Sequence, residues 1–259
     1  MRVLVVTAVT AEADAVATAF TGAAGATHRV PLPGGYALTR IEHAPGQLVD
    51  VLVAGVGPAA AAAGTAAALT AAALGPVPAT APTSHMSPGS RTQGFPAPYD
   101  LVVSTGIGGG FAAHAPLGSL VVSDAIVAAD LGAQTPDGYL PVDELGFGRS
   151  VHHPPAELSA RLAKTLDAVY APVLTVSTVT GNAARAAELT ARHPHAAAEA
   201  MEGFGVAEAA TAHGVPVVEI RAVSNAVGPR DRAAWRIGEA LDALRSAFQQ
   251  LAPVLEESP

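Results

Sequence analysis

The chain has 259 residues, 50 % of them apolar and only 14 % charged, so most of it must be buried, in one large core or two small ones. A formal net charge of −8, from 14 basic and 22 acidic residues, argues against nonspecific binding to nucleic acid or to an anionic membrane surface. The absence of cysteine excludes disulfides, thiolate metal sites and cysteine nucleophiles.

Arg2 to Ala8 reads as a β-branched strand followed by a helix through about Phe20. This N-terminal apolar run is short, meets Glu12 and Asp14 at once, and has no cleavage-like tail, so it does not read as a signal peptide. Short strands follow near Tyr36 to Ile41 and Val49 to Ala54. The uncharged stretch Pro58 to Gly75 touches the lower length of a membrane span. It is built of Ala, Gly and Thr, with Leu69 and Leu74 its large side chains, and alanine gives little transfer energy. A buried helix packed closely on a sheet is therefore expected, and with it a soluble, cytoplasmic protein.

Residues 75–98 are rich in Pro, Ser, Thr and Gly without a hydrophobic period, the pattern of a flexible surface insertion. Strands resume at Leu101 to Thr105 and Leu120 to Val127, and Asp130 to Pro155 reads as a loop. A helix near Ala156 to Val169 leads into a strand at Val173 to Thr178, and Asn182 is placed to cap a helix running to His193. A short strand ending at Glu202, a helix from Gly203 to His213, a strand from Val217 to Ser224 and an amphipathic helix from Asp231 to about Leu255 complete the chain. Strands alternating with helices, several of them continuous apolar runs, predict one α/β domain over residues 1–259. Its sheet is mixed, mostly parallel, and flanked by helices on both faces.

Several motifs are weak when read alone. Gly55-Val56-Gly57-Pro58-Ala59-Ala60 fits a dinucleotide fingerprint, but no acid occurs between Asp50 and Asp100 to hold a ribose, so a tight strand-to-helix turn is the better reading. Gly106 to Gly110 follows a strand and would let a ligand approach the backbone; a plain turn explains it equally well. Lys164, the sole lysine, lies in a predicted surface helix, which removes a Walker loop and a buried Schiff base. His152 and His153 are adjacent on an extended loop and point apart, against a metal pair.

Lone acids in apolar settings say more. Glu12 lies just past the first strand and Glu202 ends another, so both face the crevice at the carboxyl ends of the strands, where open parallel sheets bind ligands. The plain alternative for each is an acid favouring a helix N-terminus. Ser224-Asn225 ends the strand VVEIRAV as a third polar group in the same position.

Together these segments resemble the superfamily of nucleoside phosphorylases and nucleosidases, above all the methylthioadenosine/S-adenosylhomocysteine nucleosidases. TAVTAEAD resembles the segment carrying the water-activating glutamate, and VVSTGIGGGF the glycine loop that lines the nucleoside pocket with Gly108 and Gly109. SLVVSDAIVAAD is similar to the strand that follows it, and VTGNAARAAEL to a base-binding stretch. EAMEGFG resembles the Met-Glu ribose segment, and RAVSNAVGPRD the strand end that contacts the purine. The resemblance covers nearly the whole chain apart from residues 75–98 and 130–155.

It implies hydrolysis of the N-glycosidic bond of a purine nucleoside, with Glu12 activating water and Asn225 assisting at the base. Glu202 and Met201 would hold the ribose, with Gly108, Gly109 and Ser224 lining the pocket. No cofactor and no metal is implied. The small-molecule nucleoside is the partner, together with further copies of the chain in a homodimer or higher homo-oligomer whose neighbour closes the 5′ side.

Two departures matter: Asn225 stands where adenine-specific nucleosidases have aspartic acid, and Ala184 where many place a stacking phenylalanine. SNAVGPRD with MEGFG resembles a narrower branch, serving menaquinone biosynthesis, that releases hypoxanthine from a nucleoside bearing a benzoate on its 5′ side. An asparagine amide can donate to N7 and O6 of such a 6-oxopurine. Arg149, His152 and His153 are candidates to hold the benzoate, although a loop that merely carries charge explains them as well. Phosphorolysis and a non-catalytic nucleoside-binding module are the rival readings. Val103 and Ser104 stand where phosphorylases carry an arginine, and a pure binder has no need of a buried Glu12.

Overall fold

The computed structural model describes residues 1–21, 27–44, 46–75 and 99–256. The insertion expected at 75–98 therefore lies, beyond Gly75, outside the described residues. The chain runs β1 (Arg2–Thr7), α1 (Thr10–Thr21), β2 (Thr27–Pro31), β3 (Ala37–Ala44), β4 (Gln47–Val53) and α2 (Pro58–Leu74). It continues with β5 (Leu101–Gly110), β6 (Leu120–Val122), β7 (Ile126–Ala128), β8 (Gly132–Thr135), β9 (Gly138–Pro141), β10 (Val151–His152) and α3 (Ala156–Thr165). The last third holds β11 (Val169–Tyr170), β12 (Val173–Thr175), α4 (Ala183–Arg192), β13 (Ala198–Ala200), α5 (Gly203–Ala212), β14 (Val217–Ala226) and α6 (Ile237–Glu256).

One twisted sheet joins these strands in the order β10-β7-β12-β13-β5-β1-β4-β3-β2, with β14 paired to β5 and β6, and β6 to β11. The centre is parallel: β1 with β4 and β5, and β14 with β5. β3 and β2 are antiparallel at one edge, and β13 meets the far end of β5 antiparallel. Val3 to Val6 of β1 form an unbroken apolar run because both faces of the strand are covered.

On one face α1, α3 and α6 close the core, with Phe20 set edge-on to Phe248 at 6.0 Å. On the other face α2 and α5 pack over Leu4, Val6, Leu52 and Val102. Alanines let these two helices lie very close. A Cβ at Gly205 would stand 2.0 Å from the Pro58 carbonyl oxygen, so any larger residue there drives the helices apart. The uncharged 58–75 stretch is thus a buried packing helix, and no helix among the described residues is long and apolar enough to cross a membrane.

The predicted α/β architecture holds, and several boundaries shift. Leu120 to Val127 splits into β6 and β7, because Ser123 turns to hydrogen-bond the Glu219 carbonyl. The Asp130 to Pro155 loop contains the β8–β9 hairpin and β10, short strands that carry little periodicity. The helix from Ala156 stops at Thr165, and residues 169–170 pair with β6 instead. The final helix begins at Ile237 rather than Asp231, after a 3-10 turn that Asp231 caps by accepting from the Ala233 N–H. Asn182 caps α4 as expected, accepting from the Arg185 N–H at 2.9 Å. The largest correction concerns Gly106 to Gly110, which is β strand and not loop: β14 pairs with it along one side and β13 with its end along the other.

Candidate active site

A cavity of about 390 Å³ lies at the carboxyl ends of β1 and β5, walled by the last residues of β14, the end of β13 and the loop after β14. Glu12, Gly108, Gly109, Met201, Glu202, Ser224 and Asn225 all line it. Seven positions spread over more than 200 residues of sequence thus converge on one cleft.

Glu12 is 3 % exposed on the first turn of α1. Its Oε2 accepts from the Ala8 and Val9 N–H groups at 3.0 and 3.3 Å, and its Oε1 from the Ile107 N–H of β5 at 2.9 Å. Burial pushes its pKa up from the ordinary 4.5, against the pull of Arg221 and the backbone donors, while the Glu202 charge pushes it further. A carboxylate so placed is a stronger base than one in water. Gly106 makes the arrangement possible: a Cβ there would sit 2.5 Å from Glu12 Oε1 and 2.9 Å from Arg221 Nη1.

Glu202 is held from three sides. Its Oε1 accepts from the Gly57 N–H at 3.2 Å, its Oε2 from the Met201 N–H at 3.3 Å, and Arg221 Nη1 stands 3.3 Å from the same oxygen. The Gly55–Gly57 turn that imitates a dinucleotide fingerprint thus opens α2 against a carboxylate of the chain itself. Arg221 is fully buried, with Nε donating to Glu219 Oε1 at 2.8 Å and Nη2 to Ser104 Oγ at 3.2 Å. Burial pushes the Glu219 carboxyl up as well, against the pull of Arg221.

Asn225 reaches the cleft through a β-bulge. Between Val223 and Asn225 the register of β14 on β5 shifts by one, which buries Ser224 and sets Asn225 opposite Gly109. Ser224 Oγ donates to Asn225 Oδ1 at 2.9 Å, and Nδ2 donates to the Ala226 carbonyl at 3.1 Å.

Sequence reasoning missed Arg221, Glu219, Glu199, Thr180, Arg230 and Trp235. Glu219 and Arg221 were visible in principle as two charges at alternate positions of an apolar strand, hence on one face. Glu199, 5 % exposed, lines the cavity and accepts from Thr180 at both oxygens, from the N–H at 2.8 Å and from the hydroxyl. Arg230 and Trp235 form the outer wall, the guanidinium over the indole at 5.4 Å.

The benzoate candidates are elsewhere. His152 is buried against Glu208 at 2.7 Å, with Arg149 3.9 Å from the same carboxylate, and His153 meets the Asp124 carbonyl. None of the three lines the cavity: Arg149 and His152 turn to Glu208 of α5, and His153 to the segment between β6 and β7. Ala184 is likewise absent from its lining. Among the described residues no group of three His, Asp or Glu is arranged to hold a metal ion.

Comparison with known proteins agrees with this geometry. The family model of the phosphorylase superfamily matches residues 2–258. A futalosine hydrolase of Streptomyces coelicolor is 59 % identical over 99 % of this chain and 97 % of its own length. One from Acidothermus cellulolyticus is 45 % identical over 96 % of this chain and 89 % of its own. The chain belongs to the phosphorylase superfamily and, within it, to the futalosine hydrolase family. Two solved structures share its fold. Helicobacter pylori futalosine hydrolase has a TM-score of 0.75 at 14 % identity, over 98 % of both chains. A methylthioadenosine/S-adenosylhomocysteine nucleosidase of Colwellia psychrerythraea in complex with adenine has a TM-score of 0.69 at 23 % identity, over 97 % of this chain and 96 % of its own.

Proposed function

We propose that this protein hydrolyses the N-glycosidic bond of futalosine, releasing hypoxanthine and the free sugar, dehypoxanthine futalosine. The observation that carries the reading is the convergence of Glu12, Glu202 and Asn225 on one cleft, in a chain 59 % identical to a curated futalosine hydrolase. The C1′–N9 bond breaks toward an oxocarbenium-like sugar, with the electron pair leaving on the purine. Glu12 takes a proton from water as the water oxygen bonds to C1′. Glu202 accepts hydrogen bonds from the ribose hydroxyls, which strengthen as positive charge grows on the sugar, and Met201 packs against sugar and base. Asn225 Nδ2 gives one hydrogen to the Ala226 carbonyl and has one left for the N7/O6 edge, which favours departure of a 6-oxopurine; asparagine has no proton to give, so the leaving base takes its proton from solvent.

Water rather than phosphate is the nucleophile. The buried guanidinium is committed to Glu219, Ser104 and Glu202, and the carboxylates of Glu12 and Glu202 oppose a dianion. The test is incubation with futalosine, inosine and methylthioadenosine, with and without phosphate, and identification of base and sugar. Free hypoxanthine and the free sugar are expected, at a rate indifferent to phosphate. A sugar 1-phosphate would overturn hydrolysis.

The working form we propose is a cytoplasmic homodimer or higher homo-oligomer. Val56 and Val179 line the cavity and are 57 % and 44 % exposed, apolar side chains suited to cover by a second copy. Sedimentation of a fully active monomer would remove this part of the reading.

A further inference from the structure

One buried carboxylate in the cleft has no part in the chemistry above. Glu199 neither activates water, which falls to Glu12, nor holds the ribose, yet it is 5 % exposed and lines the cavity. Its position is set by register. On β5, Gly109 stands opposite Asn225 of β14 along one side and opposite Glu199 of β13 along the other. Neighbouring strands lie about 4.8 Å apart, so the two Cα atoms are roughly 10 Å apart with only a glycine between them. Gly109 also lies two residues beyond Ile107, whose N–H holds Glu12, which displaces this floor by roughly 7 Å along β5 from the hydrolytic carboxylate. The Asn225–Glu199 pair is thus set apart from the hydrolytic carboxylate along the same strand, on the side where a base would lie if the sugar sits at Glu12.

We infer that Glu199 is a specificity-determining residue that accepts the N1–H of a 6-oxopurine base, while Asn225 donates to its N7/O6 edge across Gly109. The inference rests on the proposed hydrolysis of a hypoxanthine nucleoside and deepens it. An ionised carboxylate offers about four acceptor positions, of which the Thr180 N–H and hydroxyl take two and hold the group in place. The remaining lone pairs are left for a donor in the cleft. Burial pushes Glu199 up in pKa and Thr180 opposes the shift, so a donor at N1 completes the stabilisation of the charged form. Hypoxanthine presents acceptors at N7 and O6 and a donor at N1. Adenine presents a lone pair at N1 and a donor at its amino group, which sets lone pair against carboxylate and N–H against the Asn225 amide. Two residues on either side of one glycine thus match the hydrogen-bonding pattern of the base as a set.

The test is binding of free bases to the intact protein by calorimetry, using hypoxanthine, 1-methylhypoxanthine and adenine. Glu199→Gln is expected to weaken hypoxanthine by about tenfold or more, leave 1-methylhypoxanthine unchanged, and strengthen adenine, since an amide can donate to its N1. The hydrolysis rate on futalosine should fall in parallel with hypoxanthine affinity. An equal change for all three bases means a purely structural role and overturns the inference. Should Glu199→Gln fail to fold, Thr180→Val removes one support of the carboxylate and must shift the hypoxanthine to 1-methylhypoxanthine ratio in the same direction; an unmoved ratio overturns it too. Failure of the underlying reading is separate, because the unmodified protein would then release no hypoxanthine from futalosine at all.

Discussion

The sheet buries two ionic clusters of opposite balance. Around Asp50 one carboxylate meets two arginines and a phenol: Arg40 at 2.7 and 2.8 Å, Arg2 at 2.9 Å and the Tyr99 hydroxyl at 2.7 Å. Around Arg221 one guanidinium meets Glu219 and Glu202 directly, and Glu12 across Gly106. Burial works to raise Asp50, but its hydrogen bonds win and its carboxyl lies below the ordinary 3.8. Burial likewise raises Glu12 and Glu219, and there it prevails, because a single cation is shared among the carboxylates. Asp50 therefore contributes stability above its ordinary pKa, lost as pH falls through the depressed value. Glu12 and Glu219 do the reverse: their folded state favours the proton, and stability is lost as pH rises through their raised values. A cluster rich in donors ties strands together. One that divides a single cation among several buried carboxylates keeps a base ready.

The harshest way to break this contrast is Arg221→Met. It leaves the buried carboxylates without a cation, a loss of about 3–5 kcal/mol on denaturant unfolding, with Glu12 driven still higher in pKa. A variant as stable as the parent would show that the cluster is not held by its arginine.

Next in size is Glu12→Gln, which keeps the shape but not the base. We expect kcat to fall about 100-fold or more. In the unmodified enzyme kcat/KM should rise with pH as Glu12 ionises, along an acid limb lying above 4.5, and the variant should lack that limb. An acid limb at or below the ordinary glutamate value would remove Glu12 as the base.

The mildest test lies at the other cluster. Arg40→Met leaves Asp50 with Arg2 and Tyr99, so a loss of about 1–3 kcal/mol in stability is expected, with kcat on futalosine unchanged. A fall in kcat matching that of Glu12→Gln would erase the distinction between the clusters.

Much of the site was legible before folding was considered. Buried parallel strands read as apolar runs, and a polar residue at the end of such a run has one crevice to face. That logic set Glu12, Glu202 and Asn225 at one crevice, and all three line the cavity; composition alone pointed to α2 as a packing helix rather than a span. The surroundings of the benzoate candidates were not legible: Arg149 and His152 turn to Glu208, a residue far from them in sequence.

What sequence by itself determined was therefore local: which segments alternate, which ends carry acids, where caps fall. Tertiary structure alone decided that the glycine run is a strand, because its partners β13 and β14 come from the last quarter of the chain. It alone decided that Ser224 forms a bulge which aims Asn225, and that Gly109 separates Asn225 from Glu199. The reason is distance along the chain: Glu12 takes its hydrogen bond from a residue 95 positions away and Glu202 from one 145 away. A lone carboxylate in an apolar segment announces that a partner must exist, since burial without one is costly, but only the assembled sheet says which partner it is.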